Sequence, residues 1–157
     1  MRIVLLLVLL FEAISSTAQM DFYKQVKTII ADSAGGFLKL RGQPSPKQDG
    51  IDSAFFSVLQ IEGTKNNEIF KVDSSRWMYS GVIADSIRFN KAKRIADEWK
   101  EKLHAAAGGQ FTVEKYKVVD YNPSKYGWSI VDKNMTISIH VFGPKDTGYI
   151  VFLSLSN

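Results

Sequence analysis

An α+β fold is what this sequence predicts: an antiparallel sheet carrying two helices on one face. Three observations carry that expectation. Two segments, one after Asp21 and one from Ala92 to Leu103, place apolar residues three and four apart, the spacing of one helix face. Seven short runs rich in Val, Ile, Phe, Tyr and Trp are divided by Gly, Pro, Asn and Asp, as strands and turns are. Those runs come in groups of neighbours rather than alternating singly with helices, which favours hairpins over parallel crossovers.

The chain of 157 residues is long enough for one domain with a core of its own. Its first eighteen residues read as an address. Met1-Arg2 is positive, Ile3 to Phe11 is an unbroken apolar run, and Ser15-Ser16-Thr17-Ala18 is a small-residue exit before Gln19. These are the three parts of a secretory signal peptide. The apolar run is far short of the roughly 20 residues that cross a bilayer. The sequence thus predicts a signal peptide over 1–18, a single α+β domain over 19–157, and an exported protein, periplasmic or extracellular.

From Asp21 onward, Phe22, Val26, Ile29 and Ile30 form a helical stripe that Gly35-Gly36 ends. Phe37 to Leu40 reads as a brief extended piece, and Gly42 to Gly50 as a loop broken by Pro44 and Pro46. Phe55 to Ile61 and Ile69 to Val72 read as a hairpin about Gly63–Asn67, followed by a strand from Trp77 to Ile83. The second helix has an inner stripe of Ala92, Ile95, Ala96, Trp99 and Leu103, and Gly108-Gly109 closes it. Its outer face offers pairs four apart: Lys93 with Asp97, Arg94 with Glu98, Glu98 with Lys102. Four strands complete the chain, at Phe111–Val118, Trp128–Val131, Met135–Phe142 and Tyr149–Leu155. In the third of these, Met135, Ile137, Ile139 and Val141 alternate with Thr136, Ser138 and His140, one buried face against one wet face. No internal repeat is visible. The order helix, three strands, helix, four strands is similar to the secretion-chaperone-like architecture. That resemblance lies in element order alone and implies no partner.

Composition excludes much chemistry. With no cysteine there is no disulfide scaffold, thiolate zinc site or cysteine nucleophile. His104 and His140 are too far apart for a zinc helix, and no H-E-x-x-H occurs. Gly127-Trp128-Ser129 lacks the second glycine of a hydrolase elbow. No phosphate-binding glycine motif is present. The sequence therefore nominates no catalytic residue, no metal ligand and no cofactor.

The formal charge of +4 and the run Arg88, Lys91, Lys93, Arg94 could suit an anionic partner. Asp97 and Glu98 are expected to neutralise much of that run, and export argues against nucleic acid. Tyr121, Tyr126 and Trp128 around a proline loop are the candidate binding residues, since aromatic rings bring large contact area at low entropic cost. The functional expectation is a small exported, non-catalytic binding or interaction module for a protein or small-molecule partner. Two alternatives stand beside it: an envelope hydrolase using His140, and an inhibitor or immunity-type protein.

Overall fold

The computed structural model describes residues 21–46, 53–116, 124–143 and 147–157. Residues 1–18 and Tyr121 lie outside them. In chain order the elements are α1 (Phe22–Ser33), β1 (Arg41–Pro44), β2 (Ala54–Ser57), β3 (Lys65–Lys71), β4 (Trp77–Ile87), α2 (Phe89–Ala107), β5 (Thr112–Lys115), β6 (Ser124–Val131), β7 (Thr136–Phe142) and β8 (Tyr149–Ser156). All eight strands join one antiparallel sheet in the order β1-β2-β3-β4-β8-β7-β6-β5. The protein is α+β. Each half is a helix followed by a four-stranded meander, and the halves meet where β4 pairs with β8.

That arrangement corrects two expectations. The first half has four strands rather than three, because Arg41 to Pro44 pairs with β2 through Arg41–Ser57 and Pro44–Phe55. The prolines had marked this stretch as loop. Pro44 is tolerated because β1 is an edge strand with a register shift, where a missing N–H costs no ladder bond. The element order also repeats although no sequence period announces it, since the halves share topology and not spacing.

Asp21 starts α1 by accepting a 2.8 Å hydrogen bond from the Lys24 amide. Gly36, left-handed at φ 67°, ends it in a Schellman motif. The Phe37 amide donates to the Asp32 carbonyl at 2.9 Å and the Gly36 amide to Ser33 at 2.8 Å. This termination forces Phe37 itself to φ 60° and winds Leu38–Leu40 into a 3₁₀ turn, where an extended piece was expected. The reward is that the Phe37 ring is fully buried beside Tyr79, with ring centres 6.4 Å apart.

One core runs through the molecule. Val26 and Ile29 from α1, and Ala92, Ala96, Trp99 and Leu103 from α2, meet Ile69, Tyr79, Ile130, Ile137, Ile139, Leu153 and Leu155 from the sheet. The helices pack on each other, with Phe22 set edge-on to Trp99 at 5.5 Å, and both contact β8. Tyr79 is enclosed, so its hydroxyl needs partners. It meets the Leu59 carbonyl at 3.1 Å and the Asn67 side-chain amide. Burial raises its pKa and keeps the phenol protonated.

Candidate functional site

Strand β6 supplies the aromatic pair. Tyr126 and Trp128 are two apart, so they project to the same side of the sheet, toward α2. On α2, Lys93, Asp97 and Lys100 are spaced four and three apart and share one helix face. The two faces meet at a single carboxylate oxygen. Asp97 Oδ1 accepts from the Tyr126 hydroxyl at 2.6 Å and from Trp128 Nε1 at 2.7 Å. The rings stand at 88° to each other with centres 6.1 Å apart.

Three ammonium groups surround these rings. Lys93 Nζ lies 5.1 Å from the centre of Tyr126, and Lys115 Nζ reaches the same ring at 5.6 Å from β5. Lys100 Nζ lies 4.5 Å from the centre of Trp128 and 2.6 Å from Glu101. These are cation–π distances, at which the ring quadrupole draws the charge. Burial first, then the hydrogen bond and charge of Asp97, push the Tyr126 pKa up to about 12. The phenol therefore stays a donor at any physiological pH, and the carboxylate keeps both its bonds.

This geometry alters the charge reading of α2. Of the expected surface pairs, Arg94–Glu98 forms at 3.7 Å. Asp97 instead turns inward to β6, and Lys93 pairs with a ring. Sequence reading found Tyr126 and Trp128 but missed Asp97, Lys93, Lys100 and Lys115. The signal was available in the four-three spacing on α2, but nothing in the sequence says that β6 lies opposite it. Trp128 is half-buried. Tyr121 is outside the described residues.

His140 is half-buried rather than wet. Ser138 beside it is buried, and the His140 ring lies edge-on to Tyr116 at 4.7 Å. Its Nδ1 is 3.3 Å from Ser124 Oγ. The reason lies in register: Tyr116 and His140 both flank Gly127 across the ladder, and with no side chain between them their rings meet. Burial lowers the His140 pKa, so the imidazole is neutral at pH 7. A neutral imidazole near a serine has the protonation a general base needs. Ser124, however, is only 2% exposed and also bonds the Tyr126 carbonyl at 3.2 Å, so as placed it meets no substrate. His104 closes α2, with Nε2 3.2 Å from the Phe111 carbonyl. Among the described residues no three His, Asp or Glu side chains gather as metal ligands do.

A concavity of about 610 Å³ opens at the corner where β4 gives way to α2, beside the start of β8. Another, of about 460 Å³, lies between the helices at Phe22, Glu98 and Trp99. No helix among the described residues is long and apolar enough to cross a membrane. No protein-family model, curated protein or solved structure matches this chain.

Proposed function

We propose that the chain is an exported, non-catalytic binding module whose recognition surface is the Tyr126–Trp128 pair with its three lysines. The observation that supports it most is the shared carboxylate. Asp97 holds two large rings in one arrangement before any partner arrives, which lowers the ordering cost of association. The ammonium groups of Lys93 and Lys115 have no carboxylate of the described residues within 4 Å, so they can turn to an anionic partner. An acidic polymer of the cell envelope suits this chemistry: its carboxylates would meet the lysines while its rings meet aromatic edges. The element-order resemblance to the secretion-chaperone-like architecture bears on shape alone. An inhibitor or immunity role would use the same surface against a protein.

Polygalacturonate, immobilised, is the probe. The wild-type protein should be retained and released by salt, as exposed ionic contacts are. Tyr126→Ala and a Lys93→Ala/Lys115→Ala double variant should each lose retention equivalent to about 1–2 kcal/mol, with melting of the lysine variant unchanged. Retention equal to wild type in both would remove this surface from the reading. The hydrolase alternative rests on the 3.3 Å contact of His140 with Ser124. It predicts turnover lost in His140→Ala and unaffected by the lysines.

A further inference from the structure

The concavity at the β4–α2 corner is built by an irregular strand end. Pairing of β4 with β8 shifts register twice, between Val82 and Ala84 and between Ala84 and Ile87, and Ser86 sits left-handed at φ 53°. Such bulges re-aim side chains and recur beside binding sites. Here they separate the strand from the first turn of α2 and leave a hollow of about 610 Å³, inside the roughly 300–1,000 Å³ range of small-molecule sites. Its walls are apolar. Ile87 stands opposite Tyr149 in the ladder, and the Phe89 ring packs against Tyr149 with centres 5.0 Å apart. All three side chains are only half-buried, so apolar surface faces the hollow.

Among the described residues the polar lining has one sign: Arg88 is the sole charged side chain there, and no carboxylate of those residues lies within 4 Å of its guanidinium. The nearest acid in sequence, Asp85, is engaged with Lys65. Thr147 adds an exposed hydroxyl at the rim. An arginine fork matches a carboxylate in two parallel hydrogen bonds. An apolar hollow whose mouth carries one guanidinium, without a carboxylate partner among the described residues, is complementary to a molecule that is apolar along its body and anionic at one end.

We propose that this corner is a second binding site, taking a medium-chain aliphatic carboxylate with its chain along Ile87, Phe89 and Tyr149 and its head on Arg88. The site lies about 12 Å along α2 from Asp97, eight residues at 1.5 Å each, and rests on separate observations from the aromatic–lysine surface.

Dodecanoate, kept below its micelle concentration, tests this on the whole protein by calorimetric titration, with dodecanol as the uncharged match. Wild type should bind dodecanoate about tenfold more tightly than dodecanol. Arg88→Gln should erase that difference while leaving dodecanol binding unchanged. Thr147→Trp, which places a large ring at the exposed rim, should abolish binding of both without moving the melting temperature. Amide resonances of Ile87, Phe89 and Tyr149 should shift on titration, and those of Trp128 should not. Absence of wild-type binding overturns the proposal. So does binding that neither variant alters, since the molecule would then sit elsewhere.

Discussion

His140 shows how one side chain can be set by a residue that has none. Gly127 lies across from it in β6, and a Cβ there would fall 2.3 Å from the Ile139 carbonyl oxygen. With no side chain at that point, the rings of His140 and Tyr116 approach from both neighbours and shield each other from water. Shielding disfavours the charged imidazolium, so the folded pKa lies below the ordinary value near 6.5. The unfolded chain then binds the proton more readily than the folded one. This group costs nothing above about pH 6.5 and destabilises progressively as pH falls from there through the lowered folded value. Melting measured from about pH 7 to about pH 5 should therefore drop more for wild type than for His140→Gln. Parallel curves would mean that the ring is solvated after all.

At the scale of elements, the contact between β6 and β7 depends on that same glycine. Gly127→Ala must either push the Ile139 carbonyl away or break the ladder at its middle, because the obstacle is backbone and cannot rotate aside. A loss of about 3 kcal/mol or more is expected, at the upper end of overpacking costs. Chemical denaturation reads it directly, and a change under about 0.5 kcal/mol would show that the strands do not approach as closely as described. What the sequence made legible follows from locality. The α2 stripe and its glycine stop are patterns of neighbours, and both are present in the fold, whereas the alternation of β7 is interrupted at Ser138, which is buried. The strand β1 was hidden because proline reads as loop unless the strand is known to lie at an edge. Asp97 was hidden for a related reason. A carboxylate four residues from Lys93 looks like half of a helix-surface pair, and its two donors on β6 become neighbours only through tertiary packing.

For the whole molecule, export is the proposal with the most direct assay. Leu7→Arg interrupts the apolar run of the first eighteen residues at a cost of roughly 2.5–3.5 kcal/mol on insertion scales. Precursor of that variant should accumulate in the cytoplasm, while wild type should appear outside it with Gln19, or a residue next to it, at its N-terminus. Mass spectrometry of the fractionated native protein checks both. Met1 intact in a cytoplasmic wild-type protein would overturn the address. No helix of the described residues is long and apolar enough to cross a membrane.

The order of synthesis gives the β4–β8 pairing another meaning. β8 is central in the sheet, yet it is the last of these elements to leave the ribosome. Until Tyr149–Ser156 arrives, β4 and β7 are open borders, and the two meanders have no strand between them to join their ladders. Residues from opposite halves of the chain must then come together, a step that contact order makes slow. A nascent chain of this topology stays incomplete until its final strand is delivered. That delay concentrates the risk of aggregation in the interval during which two strand edges are bare.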